Sequence, residues 1–486
     1  MHDFDDENLR AATYDGSVTA TAVKKLFSGS DDFQSREIRL GLTSPIAVTV
    51  CWIDGSACSE SLSEDLLDPL TDPKRLGDVR SSHEAERRIL KGAVYSGSVV
   101  RETDPESVGH DLAAGFAAVI FDATSVALCF EVKASIGRPV DESQTEKSVK
   151  GARDAFVETL RVNTALIRRR LTTPRLRLHE VTLGTDSETR VSVFYIEGAA
   201  PKEHVEAVLR RLHTLDPKAV LGEGDVEPQL THAARTVFPL SEHTERPDKF
   251  AAALLRGRVG LIADGMPVGF LLPVTLAGLL RTPEDRASPA PLSSLLAVLR
   301  YGAALISVLL PAMYIAVVLY HREMIPMRLL QSFIRAEADV PFSPWLVMLG
   351  LLVSFELLQE AGLRLPAAIG QTVSIIGALL IGEAAVQAKL ASPIAIVIVA
   401  VSGIAGYNLP SQELANTIRA LRLGFVIPAA LAGLLGLACA AAGTVWHLAT
   451  LESLGVSYLY PFADSDGGLR RTVLFRARGR ESEEGP

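Results

Sequence analysis

Three carboxylates lie in the most apolar part of the chain. Glu356 and Glu360 stand four residues apart and Arg364 follows four residues later, so on a helix the three form one polar stripe. Glu383 directly follows the apolar run SIIGALLIG. Carboxylates at membrane depth are costly and normally face a partner or a water-filled cavity. In a ring of several copies each position would become a ring of carboxylates, which favours cations. Glu356, Glu360 and Glu383 are therefore candidates for an ion pathway.

A structural role is the alternative for each of these carboxylates. Glu360 can form an ion pair with Arg364 across one helical turn, near the membrane surface. Glu356 and Glu383 have no basic residue within the following turn, so the pathway interpretation suits them better. Both interpretations stay open from the sequence.

Recognisable motifs of enzymatic chemistry are absent from the sequence. It contains no GxxxxGK[ST], HExxH or GxSxG pattern, and GEGDVE near Gly222 lacks the third glycine of a nucleotide-binding loop. The four cysteines, Cys51, Cys58, Cys129 and Cys439, form no CxxC pair and no metal-ligand spacing with histidine. We expect these cysteines to be reduced and buried, and we expect no catalysis, no cofactor and no bound metal.

Three consecutive arginines end a segment that is typical of a helix. The segment ARDAFVETLRVNTALIRRRL covers residues 152–171, and Arg168, Arg169 and Arg170 stand at its end. Cations complement the dipole at a helix C-terminus, so a solvated helix end is the simpler interpretation. An oligomer interface formed by the three arginines is the alternative.

Long uncharged stretches in the second half predict membrane-spanning helices. A bilayer core of about 30 Å requires about 20 apolar residues, and Gly and Ala, which are frequent here, let helices approach closely in lipid. A further segment, 345–358, is interrupted by Glu356 and could be a short span, a re-entrant helix or an interfacial helix. The four stretches without a formal charge are 303–320, 365–382, 390–412 and 423–451.

The number of spans decides on which side the C-terminal tail lies. With four spans the Arg-rich tail shares the side of the N-terminal half, and with five it does not. The tail holds the strongest basic cluster, and short basic segments stay in the cytoplasm. The sequence therefore favours four spans over five.

Two pairs of segments in the first half match at a nearly constant offset. AVTVCWIDG (47–55) parallels RVSVFYIEG (190–198), and AAVIFDATSVALCF (117–130) parallels VGLIADGMPVGFLL (259–272). The offsets are 143 and 142 residues. The second pair predicts β-hairpins that turn at Asp122-Ala123 and at Asp264-Gly265, and a polar helix follows each strand of the first pair. The sequence therefore predicts a tandem repeat of a β-β-α unit.

Composition agrees with a polar half joined to an apolar half. Charged residues make up 22% of the chain, yet the mean hydropathy is +0.24. The net charge of −9 argues against nucleic-acid binding, which usually requires a basic face. The acidic N-terminus MHDFDDENLR has no basic or apolar signal region, so we expect no signal peptide.

The predicted fold class is an α+β soluble N-terminal half with two related β-β-α-type subdomains, followed by an α-helical transmembrane domain. We expect a disordered or loosely ordered N-terminus (1–35), a first α/β subdomain (36–140), a connecting helix (141–175), a second α/β subdomain (176–280), a linker (281–292), a transmembrane domain of four or five helices (293–455) and an Arg-rich tail (456–486).

Segments in both halves of the chain together carry a family resemblance. They are SQTEKSVKGARDAFVE (143–158), NTALIRRR (163–170), TERPD (244–248), GRVGLIADGMP (257–267), LPAMYIAVVLYHREMIP (310–326), EAGLRLPAAIG (360–370) and LGVSYLYP (454–461). On these segments the chain resembles the A subunit of the GerA-type nutrient germinant receptors of endospore-forming bacteria, from about residue 36 to about residue 461. The acidic-aromatic element after the second hairpin departs from the family pattern, because only Glu284-Asp285 remains without its tyrosines.

The resemblance implies one subunit of a three-part receptor in the spore inner membrane. The implied partners are a transporter-like B subunit that binds the nutrient and a C subunit that is a lipoprotein. The A subunit would form a homo-oligomer and act as a ligand-gated ion channel, with its N-terminal half on the cytoplasmic, spore-core side.

Two other functions compete with this expectation. A transporter subunit that moves a solute or ion directly is the first, but four or five spans without a detectable inverted repeat speak against it. A membrane-anchored enzyme is the second, and the missing catalytic motifs disfavour it. The nutrient cannot be identified from this chain, because the family places that site on another subunit.

Overall fold

The computed structural model describes residues 17–41, 45–77, 79–94, 98–134, 146, 152–214, 217–231, 236–282, 285, 289–364, 377 and 379–462. These residues form two compact units. The first comprises the described residues up to 231 together with 241–273, and the second comprises 236–240 together with the described residues from 274 on. The first unit contains two five-stranded sheets and the second is mainly helical. The predicted fold class is confirmed.

The first subdomain is an antiparallel sheet with helices on both faces. Its strands are β1 (Phe33–Leu40), β2 (Ile46–Ile53), β3 (Val99–Glu102), β4 (Phe116–Phe121) and β5 (Val126–Glu131), in the order β1-β2-β4-β5-β3. Its main helices are α1 (Ala20–Leu26) and α2 (Pro105–Ala113). Short helical segments follow β2, at Ser59–Ser61, Leu62–Leu67, Asp68–Thr71, Pro73–Leu76, Ser82–Arg88 and Ile89–Ala93.

Burial on both faces explains why the three inner strands β2, β4 and β5 are almost continuously apolar. Along β2, Val48 and Val50 point into a core shared with the helical segments of residues 59–93. Cys51 and Ile53 belong to the opposite core, which contains α1 and α2. Successive side chains of a strand point to opposite faces, so a sheet covered on both sides needs apolar residues at nearly every position.

Helix α1 corrects the expectation for the N-terminus. Thr19 caps α1, and the buried Val23 packs in the same core as Val108 and Leu112 of α2. From residue 17 on, the segment predicted to be loosely ordered is therefore part of the first subdomain. The error arose because a seven-residue helix carries too little periodicity to be recognised.

The second subdomain repeats the first. Its strands are β6 (Leu176–Leu183), β7 (Thr189–Ile196), β8 (Glu242–Thr244), β9 (Val259–Ala263) and β10 (Gly269–Leu272), in the order β6-β7-β9-β10-β8. Its helices are α3 (Leu160–Arg170), α4 (Lys202–Thr214), Glu223–Thr231 and α5 (Pro247–Leu254). Of the predicted connecting helix, the structure places only α3 in helical conformation among the described residues.

Strand register confirms the predicted duplication residue by residue. Phe33 pairs with Ile53 in the first copy, and the residues 143 positions later, Leu176 and Ile196, pair in the second. Thr49 pairs with Ile120, and their counterparts Ser192 and Ile262 also pair. Val48 and Val191 therefore occupy equivalent strands, and both predicted hairpins are present as β4–β5 and β9–β10.

The second unit contains the apolar helices. They are α6 (Ala290–Tyr320), α7 (Met327–Glu337), α8 (Pro344–Arg364), α9 (Pro393–Tyr407) and α10 (Gln412–Thr450). Short helices occur at Leu276–Leu279, Arg322–Met324 and 379–387, and β11 (Glu452–Ser453) pairs with β12 (Val456–Ser457). Among the described residues, three helices are long and apolar enough to cross a membrane: Ala290–Tyr320, Pro344–Gly362 and Gln412–Thr450.

The helix bounds in the structure differ from those of several predicted spans. The ambiguous segment 345–358 is a helix that continues through Glu356 to the end of α8. The stretch 390–412 contains only the shorter helix α9. Most of 365–382 lies outside the described residues.

The last predicted span is not one helix but a helical hairpin. Ala432 and Gly433 leave the helical conformation, and Gly433 has φ +60° and ψ −138°, which only glycine adopts easily. A Cβ at Gly436 would overlap the carbonyl oxygen of Pro428, eight residues earlier, which requires that the chain reverses. The prediction of a single span over 423–451 is therefore wrong.

Contacts of a neighbouring segment confirm this reversal. The Thr417 hydroxyl donates to the Val237 carbonyl oxygen (2.5 Å), and Thr236 Oγ1 is 3.0 Å from His447 Nε2. In a straight helix Thr417 and His447 would be about 45 Å apart, so adjacent residues could not touch both. The first arm of α10 (412–431) is about 30 Å long, enough to cross a bilayer core.

Candidate functional site

The clearest charged group within the apolar helices is an ion pair between two of them. Glu356 lies near the middle of α8, and Arg422 lies near the middle of the first arm of α10. An Arg422 Nη atom donates to Glu356 Oε1, and the Arg422 guanidinium carbon lies 5.6 Å from the centre of the Phe355 ring. The side chain of Arg422 is only 1% exposed. A buried guanidinium of this kind requires its carboxylate partner.

A small polar cavity adjoins this ion pair. Its volume is about 40 Å³, which accommodates about one water molecule. Two buried atoms there, Gln359 Oε1 and Arg422 Nε, have no hydrogen-bond partner within the described part of the chain. Gly403 makes room for the Phe355 ring, since an added Cβ would lie 2.5 Å from it. The other lining residues include Gly406, Tyr407, Gln412 and Arg419.

The other two candidate carboxylates have different surroundings. Glu360 lies one turn beyond Glu356 and is exposed. Its proposed partner Arg364 has a side chain outside the described residues. Glu383, in the helix 379–387, is also exposed and accepts a hydrogen bond from Gln387 Nε2 (2.9 Å). The structure therefore brings a cation to Glu356 from a distant part of the chain, which spacing along one helix could not show.

A second polar group was missed in the sequence analysis. The Tyr314 hydroxyl of α6 donates to Glu337 Oε1 of α7 (3.0 Å), beside a cavity of about 270 Å³ that Arg322 and Ser392 also line. Burial raises the pKa of Glu337. The available signal was the position of Glu337 among apolar residues of a strongly amphipathic helix.

The three consecutive arginines have different surroundings in the structure. Arg168 is buried and donates through Nε and Nη2 to both carboxylate oxygens of Asp32 (2.9 Å each). It also donates to Ser30 Oγ and to the Leu176 carbonyl oxygen (3.0 Å each). Arg168 thus joins the turn before β1 to the start of β6, and the simpler interpretation as a solvated helix end is wrong for this residue.

The neighbouring arginines remain closer to the surface. Arg170 pairs with Asp154, and the Arg169 side chain is 60% exposed and 3.9 Å from the same carboxylate. Of the three arginines, Arg168 is enclosed by its own chain and Arg169 is the most exposed, so the oligomer interface stays a prediction for Arg169 and Arg170 alone.

The hairpin aspartates have a role beyond their turns. Asp122 Oδ1 accepts from the Ala20 amide at the start of α1 (2.7 Å), and Asp264 Oδ1 accepts from the Leu160 amide at the start of α3 (2.9 Å). Free amides at a helix N-terminus need such acceptors. The two aspartates are equivalent in the repeat, so each subdomain anchors one helix on its hairpin.

The predicted linker is held by an ion pair. Arg300 of α6 donates to Asp285 Oδ2 (2.6 Å) and Oδ1 (3.0 Å), and Asp285 also accepts from the Thr282 amide (2.9 Å). Both charged side chains are nearly buried. Asp285 therefore ties the predicted linker to the first apolar helix.

The cysteines are only partly as expected. Cys51 and Cys129 are buried, and burial raises the pKa of the Cys51 thiol to about 12. All four are free, but Cys58 is half-buried and Cys439 is exposed on the second arm of α10. The expectation of burial is wrong for Cys439, because apolar helices of the second unit carry apolar side chains on outward faces as well.

Comparison with known proteins decides the family. The family model described as "Bacillus/Clostridium GerA spore germination protein" matches residues 21–486. The chain belongs to the GerA family. Spore germination protein KA of Bacillus subtilis (strain 168) is 33% identical over 463 residues, which are 95% of this chain and 84% of that protein. Spore germination protein B1 of the same organism is 31% identical and covers 93% of this chain and 92% of that protein.

A solved structure is also similar to the first half. It is the N-terminal domain of the A subunit of the Bacillus megaterium spore germinant receptor GerK3, 27% identical, covering 52% of this chain and 91% of that one with a TM-score of 0.41. The resemblance to the GerA family found in the sequence is confirmed, and with its apolar helices this GerA-family chain is a membrane protein.

Proposed function

We propose that this GerA-family chain is the A subunit of a nutrient germinant receptor and forms, as a homo-oligomer, a ligand-gated ion channel. Family membership over nearly the whole chain carries the receptor assignment. The charged groups within the second unit support the channel, because charge among apolar helices usually serves a pathway or a partner. The channel would lie in the spore inner membrane and open when a B subunit binds nutrient, with a C-subunit lipoprotein in the same complex.

The three candidate carboxylates differ in how well their surroundings suit an ion pathway. Glu356 is neutralised by Arg422, so a ring of Glu356 side chains would bring as many cations as anions. Glu383 is exposed, and only a hydrogen bond from a neutral side chain is found for it among the described residues. We therefore rank Glu383 first, Glu360 second, and assign Glu356 mainly to positioning α8 against α10.

The proposal also includes the orientation of the chain in the membrane. The rings of Tyr301 in the first half of α6 and Phe462 after α10 lie 5.8 Å apart. This supports placing the C-terminal tail on the side from which the chain enters the membrane. With the positive-inside preference of the Arg-rich tail, that side would be the spore core.

Ion release from spores tests the channel. Spores carrying Glu383→Gln should release ions more slowly after nutrient addition, with normal protein level and complex assembly. Glu383→Asp, which keeps the charge, should release ions faster than Glu383→Gln. Glu356→Gln should instead lower the protein level, because Arg422 loses its partner. Normal release from Glu383→Gln, Glu360→Gln and the double variant would reject these carboxylates as the pathway.

A gene deletion tests the receptor assignment separately. Spores without this chain should lose germination with one set of nutrients and keep germination with others. Unchanged germination with every nutrient that the parent spores use would contradict the receptor role. The two experiments can fail independently, since a receptor subunit need not conduct ions itself.

A further inference from the structure

Helix α7 lies between two membrane helices and has one apolar and one polar side. At about 100° per residue, Met327, Leu330, Phe333 and Ile334 fall on one side, which Leu329 borders. The opposite side carries Arg328, Gln331, Ser332 and Arg335. This arrangement is typical of a helix that lies in a membrane surface.

The apolar side of α7 is largely uncovered within the chain. No residue of α7 is buried, and Met327, Leu329 and Ile334 are 69%, 54% and 51% exposed. The end of the helix is held by the Tyr314–Glu337 hydrogen bond and by the Phe333 ring, which lies 6.0 Å from the Tyr314 ring. In water, this much apolar surface would favour association or aggregation.

The position of α7 in the chain indicates what covers this side. The chain leaves α6 at Tyr320 and enters α8 at Pro344, so α7 is tied at both ends to helices that cross the membrane. Its apolar side is therefore continuous with the lipid-facing surface of the second unit. Arg328 and Arg335 are two helical turns apart on the polar side, and neither has an ion-pair partner in the part of the chain that the structure describes.

We propose that α7 lies in the surface of the bilayer, with its apolar side in the acyl chains and Arg328 and Arg335 on anionic lipid phosphates. Glu337 is the exception on the apolar side, and its hydrogen bond with Tyr314 explains how it is tolerated. The lipid surface thereby holds the connection between α6 and α8, and the tie to Tyr314 couples its position to α6.

Depth measurements on the full-length protein in vesicles test this proposal. The four cysteines are replaced by serine, and an environment-sensitive fluorophore is attached at Ile334→Cys or Ser332→Cys. A quencher on the lipid acyl chains should reduce the fluorescence at residue 334 several-fold more than at residue 332. An aqueous quencher should give the reverse order. Val353→Cys on the exposed face of α8 is the positive control.

The outcomes separate lipid from other partners. Quenching of residue 334 by neither reagent would mean that protein, for example a second copy, covers the apolar side, and this would overturn the proposal. Equal access of the aqueous quencher to both positions would also overturn it. If the cysteine-free chain does not insert, a photo-crosslinking amino acid at the same two positions in the native sequence replaces the labels. Lipid adducts are then expected from residue 334 and not from residue 332.

A second experiment tests the role of Arg328 and Arg335. Lipid quenching at residue 334 should be stronger in vesicles with anionic headgroups than in zwitterionic ones. The double variant Arg328→Gln/Arg335→Gln should remove most of this difference, whereas Gln331→Ala on the same side should leave it unchanged. Equal quenching of the unsubstituted chain in both lipids would refute the contact with anionic phosphates.

Discussion

The two subdomains of the first unit share a backbone and differ in the chemistry of their cores. Val100 of β3 pairs with Cys129, and both belong to or pack against an apolar core. The equivalent position in the second copy is Glu242 of β8, which is 5% exposed. Glu242 pairs with Lys249 Nζ (2.9 Å) and Arg258 Nη1 (2.5 Å). The comparison teaches that the same strand register accommodates an apolar pair in one copy and a buried ionic group in the other.

The helix that follows the second strand also differs between the two copies. Residues 59–71 of the first copy form a broken helix with a π-helical segment at Leu62–Leu67, whereas the equivalent residues 202–214 form the regular helix α4. Pro69 explains the break, since it lacks the amide that an α-helix needs at that position. The equivalent residue in α4 is Leu212, which is buried.

The largest expected effect comes from the ion pair that joins the two copies. Arg168→Ala should lower the stability of the first unit by about 3–5 kcal/mol, because Asp32 would remain buried without its cation. Thermal unfolding of the purified full-length protein, with Trp345 and Trp446 replaced by phenylalanine so that the fluorescence comes from Trp52 in the first copy, measures this loss. In that measurement Arg169→Ala is the matched control and should change stability by less than about 0.5 kcal/mol.

A double variant sharpens the first prediction. Arg168→Met combined with Asp32→Leu removes both charges and should cost less than Arg168→Ala alone, because no buried charge remains unpaired. If the double variant is the less stable of the two, the ion pair itself, rather than the unpaired carboxylate, governs the joint between the copies.

The second prediction concerns Glu242 and its dependence on pH. Burial alone would raise the pKa of this carboxyl, but Lys249 and Arg258 outweigh burial and hold the pKa at about 2, against 4.5 for a free glutamate. Glu242 therefore stabilises the fold above about pH 4.5, and this contribution is lost as pH falls toward 2.

Glu242→Gln tests this dependence. The variant should lose about 3 kcal/mol at neutral pH, and its stability should fall less than that of the parent chain between pH 4.5 and 2. Denaturation midpoints across this range provide the measurement. Val100→Ala, at the equivalent position, should cost about 1–2 kcal/mol at every pH. Parallel pH profiles for Glu242→Gln and the parent would contradict the ionic explanation.

The third prediction is that the two copies lose the same stability when the hairpin aspartate is removed. Asp122→Ala and Asp264→Ala should each cost about 1 kcal/mol, since each removes the acceptor for one helix-terminal amide. The same unfolding measurement compares the two. A much larger effect in one copy would show that the two hairpins do not anchor their helices equivalently.

The smallest expected effect is that of Ala123→Gly, in a comparison of the tips of the two hairpins. Gly265 has φ +83°, and its counterpart Ala123 does not have positive φ; in the first hairpin Ser125 has φ +51° instead. Gly265→Ala should therefore cost about 1 kcal/mol. Ala123→Gly should cost less, because glycine there adds only flexibility to the unfolded chain. Equal losses would mean that the two turns share one backbone conformation.

Repeats and hairpins were predictable because they depend on local pattern. The matching segments around Val48 and Val191 revealed the duplication, and paired strands need the same alternation in both copies. The ion pair of Arg168 with Asp32 was not predictable, because the two residues are 136 positions apart. The same holds for Arg422 and Glu356, which come from different helices.

By itself, the sequence determined the fold class, the repeat, the apolar second half and the family. Each of these depends on the order of residue types along the chain. Only the tertiary structure decided which charges are paired and where α10 reverses direction. Uncharged residues continue through the turn at Gly433, so hydropathy reports no boundary there. The reversal depends instead on one backbone conformation and on the close approach that Gly436 allows.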